Sequence, residues 1–127
     1  AAPAATPPPP AEFAASDNLR DVFYAFDKAE IRPGDAKTLD AGAAYLKANP
    51  RLLVLVEGHC DERGTEEYNI ALGERRAASA LNYLVAQGIE AGRFTRISYG
   101  ESRPSCAEHR ESCWVKNRRA RFMVKPQ

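Results

Sequence analysis

Residues 58–77 read GHCDERGTEEYNIALGERRA and join an apolar run to an amphipathic helix. The run before them, residues 52–56, is continuously aliphatic, which is typical of a strand buried on both faces. The polar, glycine-bracketed loop carries Asp61 and Arg63, and the helix then brings Arg76 back toward its own beginning. Acidic and basic side chains that converge at a strand-to-helix junction indicate a binding site for a group that carries both charges.

Asp61 and Arg76 are the candidate pair for this site. They are fifteen residues apart, so helical spacing does not pair them, but the geometry of a loop followed by a helix would. An arginine binds a carboxylate with two parallel hydrogen bonds, and a carboxylate accepts from an ammonium, so the pair suits a zwitterionic amino-acid end group. The alternative is an ordinary salt bridge that braces the loop, and the charge pattern alone favours it.

Asn69 lies on the same helix face as Arg76, seven positions earlier. An asparagine in the first turn of a helix often bonds the preceding loop. We therefore expect Asn69 to brace Asp61, to contact the ligand, or to do both, with bracing favoured.

Outside this stretch the chain divides into a tail and one domain. Residues 1–19 consist mainly of alanine and proline, with four consecutive prolines at 7–10, and predict a flexible, extended tether. The alternative is a disordered terminus without a function. Residues 20–127 have the length and composition of one domain with a real core.

The domain shows the order β-α-β-α-β-β. Strands are predicted at 22–26, 52–56, 94–99 and 120–124, and helices at 33–49 and from Thr65 to Gly88. In the second helix the predicted buried stripe consists of Ile70, Ala77, Leu81 and Leu84. The first two crossovers have helical length, so those strands should be parallel, whereas the polar loop 101–117 leads to a final antiparallel pair. The sequence therefore predicts an α/β (α+β) two-layer sandwich with helices packed on one face of a small mixed sheet.

Composition excludes several classes of function. The net charge is +1, which gives no global case for binding nucleic acid. A basic run near the C-terminus consists of Lys116, Arg118, Arg119, Arg121 and Lys125. It lacks the interleaved stacking aromatics that RNA binding needs, and a surface facing an anion or an acidic partner explains it.

No apolar run approaches the roughly 18 residues of a membrane helix. The chain shows no signal peptide and begins with Ala1, so we expect a processed form whose leader is missing.

Three cysteines leave two structural alternatives open. Cys106, His109 and Cys113 have spacing that resembles a metal site, and zinc would need a fourth ligand such as His59 or Cys60. In an oxidising compartment Cys106 and Cys113 would instead form a disulfide and leave Cys60 over.

His59 and Cys60 also suggest a cysteine-dependent hydrolase. Adjacent residues in an extended segment point to opposite sides, so these two are poor partners, and His109 would reach Cys60 only through the fold. A structural histidine and a packed, inert cysteine are favoured.

The stretch 58–77 strongly resembles the signature of the outer-membrane-protein-A C-terminal-like family, in the form carried by peptidoglycan-associated lipoproteins. Three shorter segments agree with it: YAFD at 24–27, SYGE at 98–101 and KNRRA at 116–120. The resemblance covers residues 22–124. It implies a non-catalytic domain without metal or cofactor that binds peptidoglycan stem peptides through diaminopimelate and tethers the outer membrane to the cell wall.

The resemblance also implies roles for particular residues. Asp61 and Arg76 would hold the amino-acid end of the diaminopimelate side chain, and Asn69 would support them. Asn117 and Arg118 would contact the ligand at the edge of the site.

Localisation and partners follow from the same resemblance. It implies an N-terminal lipid anchor in the outer membrane, a position on its periplasmic face in a Gram-negative bacterium, and a TolB-like partner in a Tol–Pal envelope system. Two features depart from the family: no N-terminal cysteine is present, and Cys106 and Cys113 are not part of its general pattern. In a periplasmic protein these two predict a disulfide that would stabilise the fold by roughly 2–3 kcal/mol.

Overall fold

The structure is a computed structural model that describes residues 8–127, so the first seven residues of the predicted tether lie outside it. The helices are α1 (Pro33–Ala48), α2 (Glu66–Ala86) and α3 (Glu111–Asn117). The strands are β1 (Ala14–Ala15), β2 (Val22–Phe23), β3 (Leu52–His59), β4 (Phe94–Gly100) and β5 (Arg119–Pro126).

The five strands form one mixed sheet with the order β1-β5-β3-β4, and β2 pairs with β5 beside β1. β3 and β4 are parallel neighbours, which confirms the prediction for strands joined by a helical crossover. β2 and β3 are both antiparallel to β5 and therefore run in the same direction. β5 and β4 run in opposite directions as predicted, but β3 lies between them.

The core lies between this sheet and the first two helices. It contains Val54 and Val56 of β3, Ala120 and Phe122 of β5, and Leu39, Leu46 and Leu84 of the helices, each at most 1 % exposed. Each large aliphatic or aromatic side chain buried in this way contributes about 1.5–3 kcal/mol to the free energy of unfolding. The predicted two-layer arrangement is confirmed.

The helix boundaries follow the capping signals in the sequence. Pro33 is the first residue of α1, where its missing N–H is not needed. The Thr65 hydroxyl accepts from the Tyr68 amide at 3.1 Å and caps α2, as predicted. α2 ends just before Gly88, whose φ of +102° suits a glycine.

Two predicted elements differ from the structure. The strand predicted at 22–26 corresponds to β2 and ends at Phe23. It stops there because the carbonyls of Tyr24 and Ala25 accept from Arg118 and Arg76 and not from a neighbouring strand. The loop predicted at 101–117 contains α3 in its second half.

The N-terminal segment corrects the predicted boundary between tether and domain. From Pro10 onward the chain packs on the domain: Pro10–Glu12 form a 3-10 turn, and Ala14–Ala15 pair with β5. Phe13 and Leu19 are buried, and their apolar side chains explain why this segment adheres to the domain. Within residues 8–127, every helix is too short or too polar to span a bilayer.

Candidate functional site

A cavity of about 230 Å³ lies where β3 ends and α2 begins. It is lined by Phe26, Asp27, Cys60, Asp61, Arg63, Gly64, Tyr68, Asn69, Leu72 and Arg76. The fold therefore brings Asp61 and Arg76 to one cavity, as the strand-loop-helix pattern predicts. The volume suits the end of one side chain and not a drug-sized ligand.

Asp61 is held as a carboxylate by arginines. It is 4 % exposed, and its two oxygens accept from Arg63 Nε at 3.2 Å and Nη2 at 2.8 Å. The Arg63 amide donates to it at 3.0 Å, and Arg118 Nη1 reaches it at 3.5 Å. Burial raises the pKa of Asp61, but the hydrogen bonds and charge of Arg63, aided by Arg118, outweigh burial and lower it. The side chain is therefore anionic at neutral pH.

Arg76 is fixed by backbone carbonyls and not by a carboxylate. The side chain is 1 % exposed and donates from Nε to Lys28 O at 2.8 Å, from Nη1 to His59 O at 2.9 Å and from Nη2 to Ala25 O at 3.2 Å. An arginine has five N–H groups, so two have no acceptor among residues 8–127. The salt-bridge alternative is not what the structure shows: within the described part of the chain, Asp61 and Arg76 form no direct ion pair.

Arg63 is stacked between two aromatic rings. Its guanidinium carbon lies 3.9 Å from the Phe26 ring centroid and 4.3 Å from the Trp114 ring centroid. The Trp114 indole in turn donates to Glu62 at 2.8 Å. Stacking of this kind holds the planar guanidinium in one orientation against Asp61. Sequence reasoning missed this arrangement, because Phe26, Arg63 and Trp114 come from three separate segments without a shared spacing.

Asp27 and Tyr68 also line the cavity. Asp27 adopts a φ of +57°, which is uncommon for a residue with a side chain. The Tyr68 hydroxyl donates to its carboxylate and links the start of α2 to the segment between β2 and α1. Phe26 and Tyr68 remain 54 % and 44 % exposed, so the cavity opens to solvent between aromatic rings.

Asn69 braces the loop. Its amide nitrogen donates to Arg63 O at 3.0 Å, to Asp61 O at 3.4 Å and to Glu101 Oε1 at 3.3 Å. These contacts give Asn69 the bracing role that its position in the first turn predicts. It also lines the cavity.

Asn117 and Arg118 lie beside this cavity and are not among the residues that line it. The Asn117 side chain accepts from the amides of Ser105 and Cys106 at 2.8 and 3.0 Å and donates to Cys106 O at 2.7 Å. Arg118 donates to Tyr24 O and to Glu111, both at 2.9 Å, and its Nη1 lies 3.5 Å from Asp61. Both side chains are hydrogen-bonded within the fold, and their contact with a ligand at the edge of the site stays a prediction.

The nucleophile hypothesis is contradicted by the positions of its residues. The Cys60 thiol is buried and donates to Asn69 O at 3.2 Å, and burial raises its pKa to about 11. The His59 ring bonds Glu57 Oε1 at 3.0 Å, and burial lowers its pKa. His109 bonds Glu62 at the surface, with 80 % of its side chain exposed. Neither His59 nor His109 is placed to activate the thiol.

The zinc hypothesis is contradicted as well. Cys106 and Cys113 form a disulfide, which confirms the predicted bond and leaves neither sulfur to bind a metal as a thiolate. Cys60 is the free cysteine.

The fold and this strand-to-helix cavity agree with a known family. The model of the OmpA family matches residues 23–119 of the chain. The match covers well over half of the 127 residues, so the chain belongs to the OmpA family.

Within that family the chain is similar to proteins named peptidoglycan-associated lipoprotein. It is 52% identical to the one from Haemophilus influenzae over 99 residues, which cover 78% of this chain and 65% of the relative. It is 41% identical to the one from Brucella melitensis over 117 residues, which cover 92% of this chain and 69% of the relative. In the case of the Haemophilus protein the chain therefore spans slightly less than two thirds of the relative's length.

A solved structure supports the same placement. The crystal structure of the peptidoglycan-associated lipoprotein from Burkholderia pseudomallei matches with a TM-score of 0.81 at 35% identity, covering 84% of this chain and 90% of that chain. The relatives are named for an association with peptidoglycan and not for a reaction, in agreement with the expectation that the chain is not an enzyme.

Proposed function

We propose that the chain binds peptidoglycan non-covalently through the diaminopimelate of its stem peptides. The observation that carries this proposal is that Asp61 and Arg76, buried and oppositely charged, line one cavity without pairing with each other. A cavity that keeps an anion and a cation apart is complementary to a ligand that carries both charges in a fixed arrangement.

The side-chain end of diaminopimelate carries an ammonium and a carboxylate on one carbon. In the proposed complex the ammonium donates to Asp61, and the carboxylate accepts from the two N–H groups of Arg76 that lack an acceptor among residues 8–127. Leu72 provides apolar lining beside these polar groups and suits the methylene chain. Because Arg63 already holds Asp61 at 2.8 Å, the carboxylate is orientated before the ligand arrives.

The proposal extends to the cellular role. A chain that binds the cell wall and is anchored in the outer membrane upstream of residue 1 would tether one layer to the other from the periplasmic face. The names of the relatives support this role, and membership of a Tol–Pal system with a TolB-like partner is part of the same proposal.

A pull-down on purified peptidoglycan tests the site. Asp61→Asn removes the charge that receives the ammonium, and Arg76→Lys keeps the positive charge but removes the planar fork. We expect each to reduce the bound fraction strongly, since an unpaired buried charge costs about 1.5–3 kcal/mol, or roughly 10–100-fold in affinity.

Matched controls are Asp17→Asn and Arg51→Lys, which alter exposed residues outside the cavity. Circular dichroism and thermal unfolding of every variant separate loss of binding from loss of fold. Wild-type binding by both folded site variants would refute the assignment.

A second experiment changes the ligand. A stem peptide with lysine in place of diaminopimelate lacks only the side-chain carboxylate, so titration calorimetry should show binding weaker by roughly 10–100-fold. Equal affinity for both peptides would remove Arg76 from the recognition of the ligand.

A further inference from the structure

The sheet face turned away from α1 and α2 carries buried charges. Alternation along the strands places Glu57 and His59 of β3 and Arg119 of β5 on this face, with 5 %, 2 % and 6 % of their surface exposed. A groove of about 790 Å³ lies over it, framed by residues 9–13 and by the loop at 103–105. It shares no lining residue with the Asp61 cavity.

The charges that line this groove are mainly positive. Arg103, Arg119 and Arg121 line it with one carboxylate, Glu57, and Asp21 lies 3.8 Å from Arg119, so the net charge is +1 with His59 neutral. Burial lowers the pKa of His59 and keeps it neutral.

Two of these arginines differ in their contacts. The Arg103 guanidinium stacks on Tyr99, with its carbon 3.9 Å from the ring centroid. Arg121 lies opposite Glu57 in the register of β3 and β5, yet within residues 8–127 it forms no ion pair at 4 Å or less. Arg119 and Arg121 belong to the basic run at residues 116–125, and neither of them lines the Asp61 cavity.

Two buried polar atoms in this groove have no hydrogen-bond partner within the described part of the chain: Arg119 Nη1 and His59 Nδ1. The other contacts of Arg119 are long, with Nη2 3.5 Å from Arg103 O and Nε 3.8 Å from Asp21. Buried polar groups in native proteins are nearly always paired, so such atoms point to a partner that occupies the site.

The two atoms need opposite kinds of hydrogen-bond partner. Arg119 Nη1 is a donor. Because His59 gives its Nε2 proton to Glu57 Oε1 at 3.0 Å, its Nδ1 is an acceptor. A ligand that satisfies both must accept at one atom and donate at another.

We propose that this groove binds a phosphate-class oxyanion. At neutral pH phosphate carries charged oxygens, which accept from Arg119, Arg121 and Arg103. It also carries an O–H group, which donates to His59 Nδ1. Sulfate and carboxylate lack that O–H and satisfy only the arginines. The ligand is either free phosphate or a larger molecule that ends in a phosphomonoester, which would bind in its singly protonated form because the dianion carries no O–H.

Titration calorimetry on the intact chain tests the proposal at about pH 7 with three probes at equal ionic strength: inorganic phosphate, glycerol 3-phosphate and sulfate. Sulfate is the matched control, because both anions stabilise proteins by general exclusion. We expect saturable binding of phosphate, with sulfate at least about 10-fold weaker. Glycerol 3-phosphate that binds tighter than phosphate identifies the ester as the source, and the reverse order identifies the free ion.

Equal heats for phosphate and sulfate, or no saturable binding of either phosphate probe, would overturn the proposal. Nuclear magnetic resonance of the arginine Nε–H groups reads the site without a mutation: phosphate should shift the Arg119 signal at a concentration at least about 10-fold lower than sulfate does.

Variants locate the site. Arg121→Gln and Arg103→Gln remove two of the cations and should each weaken phosphate binding by about 10-fold or more. Arg96→Gln is the control, since Arg96 is exposed, pairs with Glu74 of α2 and does not line the groove. The same loss in all three variants, or in none, would count against the assignment. Retention of peptidoglycan binding in the variants distinguishes this site from the Asp61 cavity.

Discussion

Gly58 of β3 and Gly73 of α2 are in direct backbone contact: a Cβ atom on Gly58 would lie 1.7 Å from the carbonyl oxygen of Gly73. The helix can approach the strand this closely only because neither residue has a side chain. Asp61 follows Gly58 by three residues, and Arg76 follows Gly73 by three residues. The contact therefore sets the distance between the elements that carry the site.

Replacement of Gly58 tests this contact. Gly58→Ala must push α2 away from β3, because the obstructing atoms belong to the backbone and cannot change rotamer. We expect the free energy of unfolding, measured by urea denaturation, to fall by about 3 kcal/mol. Gly34→Ala in α1 is the control: nothing lies within 4 Å of the added carbon, so a gain of about 0.5–1 kcal/mol is expected. A neutral Gly58→Ala would show that the helix is free to shift.

The disulfide should control the position of Trp114. Cys106→Ser combined with Cys113→Ser opens a short loop and should lower the free energy of unfolding by about 2–3 kcal/mol. Trp114 follows Cys113 directly and is the only tryptophan in the chain, so its fluorescence reports the change. We expect a red-shifted emission as the ring leaves Arg63. Reductant should reproduce the shift in the wild type and have no effect on the double variant. Emission that is unchanged both in the double variant and in the reduced wild type would contradict the link between the disulfide and Trp114.

Acid should destabilise the fold through Asp61. Its pKa in the folded protein lies below the ordinary value of 3.8, because the hydrogen bonds from Arg63 outweigh the effect of burial. The unfolded chain regains the ordinary value, so Asp61 contributes stability that is present above that pH and is lost as the pH falls through the folded pKa.

The measurement is the free energy of unfolding at a series of pH values below the ordinary pKa of an aspartate. The decrease should be smaller in Asp61→Asn than in wild type, whereas Asp17→Asn, which changes an exposed carboxylate, should follow the wild type. Parallel curves for Asp61→Asn and wild type would show that Arg63 does not perturb this carboxyl.

Cys60 should resist alkylation in the folded protein. With a pKa of about 11, only about one thiol in a thousand is ionised near pH 8, and the sulfur is buried as well. Without reductant, mass spectrometry should find no modified cysteine after iodoacetamide treatment of native protein and one after denaturation. Rapid labelling of the native form would show that the cavity wall opens, and three labelled thiols after denaturation would contradict the disulfide.

The elements of the fold were predictable from local signals. Pro33, Thr65 and Gly88 stand at helix ends as expected, and the aliphatic run at 52–56 forms the first five residues of β3. These signals act within a few residues, so the sequence displays them directly.

The buried face of α2 was harder to predict. Hydrophobic periodicity selected Ile70, which is 40 % exposed, and overlooked Leu72 and Gly73, which are buried. The reason is that the inward face also carries Asn69 and Arg76. Polar residues on the inward side of a helix shift the apparent apolar stripe, so the residues that form the site are the ones that obscure the pattern.

Asn117 and the stacking of Arg63 depend on tertiary contacts. Asn117 bonds the disulfide loop, because α3 and residues 105–106 meet in space. Phe26 and Trp114 are distant from Arg63 in sequence and contact it only through the tertiary fold. No local spacing encodes either contact.

The short pairing of Ala14 and Ala15 with β5 has a mechanical consequence. A load applied to the N-terminal end would act on two paired residues and on the buried ring of Phe13 before it reached the central strands. Peeling residues 10–18 from the domain, up to the core residue Leu19, would release roughly 30–32 Å of extended chain while the core and the Asp61 cavity stayed folded. The segment thus lies between the N-terminal end and the binding site, and under tension it would detach and lengthen before the site was strained.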